Sequence, residues 1–258
     1  MLIINNGYGK SGTTWIQRGL RYYFSFSNFD RRYQNPKLAN ASIDPALILT
    51  FIQETDLSSS DYYSKSHWAA NVDLQDGRLA QALLKMPDTV VVNSIRNIGD
   101  STVSWYHHQK RDGEERDFGA WFWDKGVGFI HRYLSHHMSW AQTERPPFLF
   151  CYEQLKLDPH AAFQRFLSSV GRTDDRPVDD FNRHMDFKTS QAETQSQHMR
   201  KGVVGDWVHY FDGEMLENVD DQVRKRRFFD KCGRYLETYD VEQSDIMPTQ
   251  TAPQFRGQ

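Results

Sequence analysis

The sequence predicts an α/β fold, with a central, mainly parallel sheet flanked by helices. Three observations carry that expectation. Short apolar runs, LIINN at 2–6, TVVVNSIR at 89–96 and FLFCYE at 148–153, read as buried strands. Segments with helical periodicity alternate with them, which calls for crossover connections and a sheet covered on both faces. A Gly-rich turn, GYGKSG at 7–12, joins the first strand to the first helix.

In chain order, TTWIQRGLRYYFSF from Thr13 places Trp15, Ile16, Leu20, Tyr23 and Phe24 near helical spacing, with Thr13 as its cap. Residues 28–43 are polar and turn-rich. DPALILTFIQET at 44–55 reads as a helix with Pro45 in its first turn, where a missing N–H costs little. DLQDGRLAQALLKM at 73–86 and DSTVSWYHHQKR at 100–111 are further helices on either side of the strand at 89–96. The aromatic-rich span 118–144 is helical but broken by Lys125-Gly126-Val127-Gly128. After the strand at 148–153 come the helix DPHAAFQRFLSSV, punctuation at Gly171 and Pro177, and the segment VDDFNRHMDF. Residues 189–205 lack periodicity and are expected to form a mobile loop, and 213–238 reads as one long charged helix. There is no internal repeat. Residues 1–240 are expected to form one domain, and 241–258, with Pro248 and Pro253, a flexible tail.

Composition narrows the function. With 258 residues, 38% hydrophobic and 14% aromatic, the chain builds a full core without disulfides. A net charge of −3 gives no global field for nucleic acid, so any anion must be held locally. Two cysteines, Cys151 and Cys232, fit a reducing compartment and show no zinc spacing. The longest apolar run, PALILTFI, is too short for a bilayer, and no leader precedes the first strand. A cytoplasmic protein with no membrane or nucleic-acid partner is expected. The histidines at 107, 108, 131, 136 and 137 do not show the i, i+4 pairing of a helical zinc site, so no metal is expected.

Three stretches carry chemistry. In the turn at 7–12 and the helix start behind it, backbone N–H groups converge where the helix dipole favours an anion. Gly12 permits close approach, Thr13 and Thr14 bring hydroxyls and Lys10 a point charge. An ordinary Gly-rich connection with a solvated lysine fits the same residues. Arg96 ends the strand at 89–96, where open α/β sheets place ligands, and Ser104 lies in the helix that follows. The pair would grip one phosphate, or Arg96 would simply tie down Asp100. In MRKGVVGDW at 199–207, Arg200 and Lys201 would fold over a polyanion, or remain a solvated charge pair.

Together these stretches resemble the sulfotransferases of the cytosolic type, which use 3′-phosphoadenosine 5′-phosphosulfate (PAPS) and release the desulfated PAP. GKSGTTW stands where that family has its Pro-Lys-Ser-Gly-Thr-Thr-Trp phosphosulfate loop, a P-loop-like element. RNIGDSTVS matches its Arg-Asn-x-x-Asp-x-x-x-Ser signature for the 3′-phosphate, and RKGVVGDW its Arg-Lys-Gly-x-x-Gly-Asp-Trp segment. The resemblance implies that Lys10, Ser11, Gly12, Thr13 and Thr14 hold the phosphosulfate end. It gives Arg96, Ser104, Arg200, Lys201 and Gly202 to the 3′-phosphate, and Trp15, Tyr152 and Phe187 to the adenine. YYSKSHW at 62–68 is similar to the family strand that ends in Lys-x-His, which makes His67 the general base and Lys65 an auxiliary cation. By the same resemblance Lys10 stabilises the leaving phosphate and Ser104 restrains it until acceptor arrives. Trp68, Tyr106 and His136 fall on the acceptor side, for a small molecule with a hydroxyl or amine.

The chain also departs from the family. Gly9 replaces the usual loop proline, and the usual N-terminal extension is missing. Val208, Asp212 and Gly213 stand where the dimer signature has Lys, Thr and Val, so the usual dimer is not expected. A P-loop kinase or NTPase needs a glycine where Ile4 stands, and a catalytically silent nucleotide-binding protein of the same fold is the other alternative.

Overall fold

The computed structural model describes residues 1–34, 43–70, 75–186 and 202–248. Five strands, β1 (Leu2–Asn5), β2 (Phe26–Ser27), β3 (Asp61–Lys65), β4 (Thr89–Ile95) and β5 (Phe148–Cys151), form one sheet in the order β2-β3-β1-β4-β5. Every pairing is parallel. β1 is central, with Ile4 facing Ser64 on one side and Val91 on the other. Its side chains alternate between two cores. Ile3 packs with Ile16 and Leu20 of α1 (Thr13–Tyr23), while Leu2 and Ile4 pack with Phe51 of α2 (Ile48–Glu54) and Leu83 of α3 (Gln75–Leu83). Both faces of β1 are therefore covered, which is why LIIN reads as an unbroken apolar run.

A third cluster joins Val103 of α4 (Ile98–Arg111) to Ile130 and Tyr133 of α6 (Val127–Ala141) and to Phe228 and Leu236 near the C-terminus. On the Ile3 side, Phe163 of α8 (Pro159–Ser169) and Phe181 of α9 (Val178–Met185) close over α1. Among the described residues no helix is long and apolar enough to cross a membrane.

Several expectations need correction. α1 stops at Tyr23, and Phe26–Ser27 instead pairs with Asp61–Tyr62 at the sheet edge. The span from Phe118 is not broken at Lys125–Gly128. α5 (Phe118–Trp121) passes through a π-helical turn, Phe122–Gly126, directly into α6. A Cβ on Gly126 would lie 3.0 Å from the Phe122 ring and 3.2 Å from the Trp121 ring, so the glycine is needed for packing. The single helix over 213–238 is two, Gly213–Lys225 and Phe228–Glu237, divided by Arg227 at φ 55°. The tail expected to be flexible from 241 is ordered to Pro248. Val241, Ile246 and Met247 are buried, and the Met247 carbonyl accepts a bond from Asn97 Nδ2 at 2.9 Å. The mobile loop expected at 189–205 lies, up to residue 201, outside the described residues, as does the tail from 249.

Candidate active site

The carboxyl ends of β1, β3, β4 and β5 meet at one edge, so the turn at 7–12, Lys65–His67, Arg96 and Tyr152 converge. The turn begins the site. Lys10 (φ 73°) and Gly12 (φ 101°) are both left-handed, and α1 starts at Thr13 with Gly12 in the cap position. Thr13 is thus the first helical residue rather than the expected cap. A Cβ on Gly12 would stand 2.7 Å from the Tyr152 ring, so this glycine is required twice, for conformation and for space. The N–H groups of Lys10, Gly12, Thr13 and Thr14 have no hydrogen-bond partner among the described residues. They are free donors at a helix N-terminus. Ser11 is different. Its hydroxyl is fully buried against Ser94 Oγ (2.6 Å) and the Tyr8 carbonyl (2.5 Å), and its N–H returns to Tyr8. The expectation that Ser11 donates to a ligand is corrected: it locks the turn to β4. Thr13 is buried and Thr14 exposed.

Arg96 leaves the end of β4 and lies over the Tyr152 ring, its guanidinium carbon 4.2 Å from the centroid. Tyr152 meets Trp15 edge-on at 6.2 Å, and Lys156 Nζ covers Trp15 at 4.4 Å. Arg96 donates to the Val203 carbonyl at 3.1 Å and to that of Lys10 at 3.5 Å, while Asp100 lies 3.9 Å away. Its buried Nε has no partner among the described residues. The Asp100 alternative is thus only partly realised. Asp100 chiefly accepts the N–H groups of Gly205 (2.7 Å) and Trp207 (3.0 Å), which binds the GVVGDW segment to the start of α4. Asn97 caps α4 by accepting from Gly99 and Asp100. The Trp207 side chain fills the space left by Gly99, where a Cβ would be 2.8 Å from it. Ser104 is half-buried on α4 and has no hydrogen bond among the described residues. Gly202 (φ 62°) precedes Val203 in the same segment. Phe187, Arg200 and Lys201 lie outside the described residues.

His67 follows β3 at the open mouth of the cleft. Its Nδ1 is hydrogen-bonded to the Gly7 carbonyl, which fixes Nδ1 as the protonated nitrogen and leaves Nε2 as an acceptor. Desolvation lowers its pKa, with Lys65 and Lys10 adding to the effect against the Gly7 bond. Burial likewise lowers Lys10 to about 8, helped by the positive charge of Arg111 and Lys65, and burial lowers Lys65. These charges add to burial in lowering the Lys10 and His67 pKa values, and Asp112 acts in the opposite direction on Lys10.

Of the acceptor-side residues, His136 is buried with its ring 5.4 Å from Tyr8, and Trp68 is half-buried beside the turn, its N–H bonded to Asn6. Tyr106 is a correction. It points into the core against Phe118 and Trp121, with its hydroxyl bonded to the Arg116 carbonyl. The helical face that reaches the turn carries Trp105 instead, 5.9 Å from Lys10 Nζ. Reading from residues alone missed Lys156 and the buried Glu153. Burial raises the Glu153 carboxyl to about 7, and it accepts from the Asn97 N–H at 3.0 Å. An acid directly after the apolar strand FLFC was the available signal.

The comparisons with known proteins agree with this geometry. A family model described as the sulfotransferase domain matches residues 2–233. Mouse sulfotransferase 1B1 is 22% identical over 256 residues, covering 87% of this chain and 82% of its own. Dog sulfotransferase 1A1 is 24% identical over 262 residues, with 90% and 84% covered. Among solved structures, mouse sulfotransferase SULT7A1 complexed with PAP superposes with a TM-score of 0.64 at 17% identity, over 92% of this chain and 88% of that one. Retinol dehydratase, in complex with androsterone and the inactive cofactor PAP, gives 0.57 at 18%, over 87% and 80%. The two structures share the fold. A family match that runs from the first strand to the helix Phe228–Glu237 decides the rest: this chain belongs to the sulfotransferase domain family and is a sulfotransferase.

Proposed function

We propose that the chain transfers a sulfuryl group from PAPS to a hydroxyl or amine of a small-molecule acceptor, with His67 as the general base. The observation that carries this reading is the His67–Gly7 bond beside two lysines of lowered pKa.

The residues present fit the donor. Free N–H groups from Lys10 to Thr14 suit its phosphosulfate end, and the unpartnered Arg96 Nε a phosphate. PAPS, when bound, supplies the sulfuryl group and leaves as PAP. Lys10 and the turn N–H groups hold the phosphosulfate end, and Arg96, with Ser104 and the 200–202 stretch, holds the 3′-phosphate. Trp15 and Tyr152 flank the adenine, together with Phe187. His67 Nε2 accepts the acceptor's proton while Lys65 and Lys10 offset the developing negative charge. His136 and Trp68 stand on the acceptor side. Positioning and charge stabilisation dominate such an in-line transfer.

Thermal shifts with PAP and with ATP test the donor site. PAP is expected to raise the melting temperature in proportion to ln(1 + [PAP]/Kd), and ATP to act only weakly. Equal shifts would sink the 3′-phosphate assignment. His67→Asn tests the base. Turnover should fall roughly 10²–10⁴-fold while the PAP shift persists.

A further inference from the structure

The acceptor side of the cleft carries charge that the reading above leaves unused. From Lys10 an aromatic wall runs along α4. The Trp105 ring stacks on Phe129 at 5.9 Å and lies 5.1 Å from the ring of His108. One turn further on, Arg111 Nη2 donates to His108 Nδ1 at 3.0 Å. Through His108 and Trp105, whose ring centre lies 5.9 Å from Lys10 Nζ, Arg111 stands on the stretch of α4 that approaches the lysine. After burial, its charge is among those that lower the Lys10 pKa. Across the wall, Arg132 of α6 stands beside the hydroxyl of Tyr8, whose ring packs on Phe129 and His136.

Neither arginine has a carboxylate within salt-bridge distance among the described residues. The nearby acid, Asp112, faces His108 Nε2 at 3.7 Å. A lone exposed arginine is ordinary. Two without a salt-bridged acid among the described residues, on the two helices whose Trp105 and Phe129 stack, add positive charge near the desolvated Lys10 that Asp112 only partly offsets, which favours an anion. The donor's own anions are met on the other side of Lys10, by the turn and Arg96, and leave Arg111 unengaged.

We propose that the acceptor is an aromatic compound with an anionic substituent, its ring lying against the half-buried Trp105, which Phe129 backs from the core, and its anionic group received by Arg111, which His108 orients. The inference rests on the assignment of His67 and Lys10 to the reacting end. There the acceptor oxygen forms its bond to sulfur as the bond from sulfur to the PAP oxygen breaks, and the acceptor proton passes to His67 Nε2. Arg111 touches only the far substituent, so its direct part is to set which acceptor is chosen, while its charge near Lys10 acts alike on every acceptor.

Three phenols of one skeleton make the test: 3-(4-hydroxyphenyl)propionate, its primary amide, and tyramine. Transfer from labelled PAPS is measured for the native chain, Arg111→Gln and Arg111→Lys. The native chain is expected to favour the carboxylate over the amide by roughly tenfold in kcat/KM, as a charge-assisted hydrogen bond would give, with tyramine last. Arg111→Gln should bring the carboxylate-to-amide ratio of kcat/KM to about one, on top of any common change that the lost charge near Lys10 brings to all three phenols, and Arg111→Lys should restore part of the preference. A native preference for tyramine or the amide would overturn the proposal. So would a preference that survives Arg111→Gln, with or without an equal loss for all three phenols. A PAP thermal shift on the same preparations keeps the two readings apart: without it the donor assignment fails, whatever the acceptor. With PAP bound and no phenol turned over, calorimetric binding of the three to the PAP complex must show the same order, and a missing carboxylate preference then overturns the proposal.

Discussion

Lys10 lies in the turn at 7–12 and His67 is bonded to the Gly7 carbonyl of that turn, and their ionisation sets how the rate should respond to pH. His67 has a lowered pKa, so its neutral, proton-accepting form persists below pH 6.5, and kcat/KM should fall only on further acidification. Lys10 loses its charge as pH rises through about 8, so kcat/KM should fall again above that value. Bound donor places anions beside Lys10 and favours its charged form, which moves the alkaline limb of kcat to higher pH. Separate pH profiles of kcat/KM and kcat check both limbs; coincident alkaline limbs would remove Lys10 from the explanation. Gly12→Ala gives a second check. Its methyl would meet the Tyr152 ring at 2.7 Å in a left-handed conformation, so the PAP shift should be largely lost. Lys10 and Gly12 were legible in the Gly-rich turn, and His67 only through the family resemblance. The direction of Ser11 was not, because its inward turn depends on Ser94, 83 positions away.

At the scale of elements, α4 organises the site. Its start is capped by Asn97 and anchors the GVVGDW segment through Asp100, and its later turns present Trp105, His108 and Arg111 to the cleft. Two motifs over 100 positions apart are therefore one structural unit. Asp100→Asn keeps the size but replaces one of two accepting oxygens with a donor. PAP affinity is expected to weaken roughly tenfold, as for lost hydrogen bonds to a charged group, with a lower melting temperature. Calorimetric titration with PAP measures it, and unchanged affinity would separate the segment from donor binding. Helical periodicity located α4, but it did not show which face turns to the cleft: Tyr106 was expected there and Trp105 occupies it. The π-helical turn at Phe122–Gly126 was illegible for a related reason. Glycines usually mark breaks, whereas here Gly126 yields space to two buried rings and the helix continues.

For the whole molecule, residues 241–248 close the fold behind the site. Val241, Ile246 and Met247 are buried, and Met247 holds Asn97 through its carbonyl. A chain ending at residue 240 exposes that core, at about 1.5–3 kcal/mol for each large apolar side chain. Its melting temperature should drop by many degrees and its PAP shift should shrink; an unchanged melting temperature would show the stretch to be dispensable. The sequence by itself determined the fold class and the strands at 2–6, 89–96 and 148–153, and singled out the three stretches proposed for the donor, because apolar periodicity and glycine placement are local properties. Only the tertiary structure decided the strand order, the edge strand Phe26–Ser27, the docking of residues 241–248 and the contacts of Trp105, His108 and Arg111 along α4. Those depend on which surfaces meet, and DYYSK or DIMP carries no local pattern that names its partner.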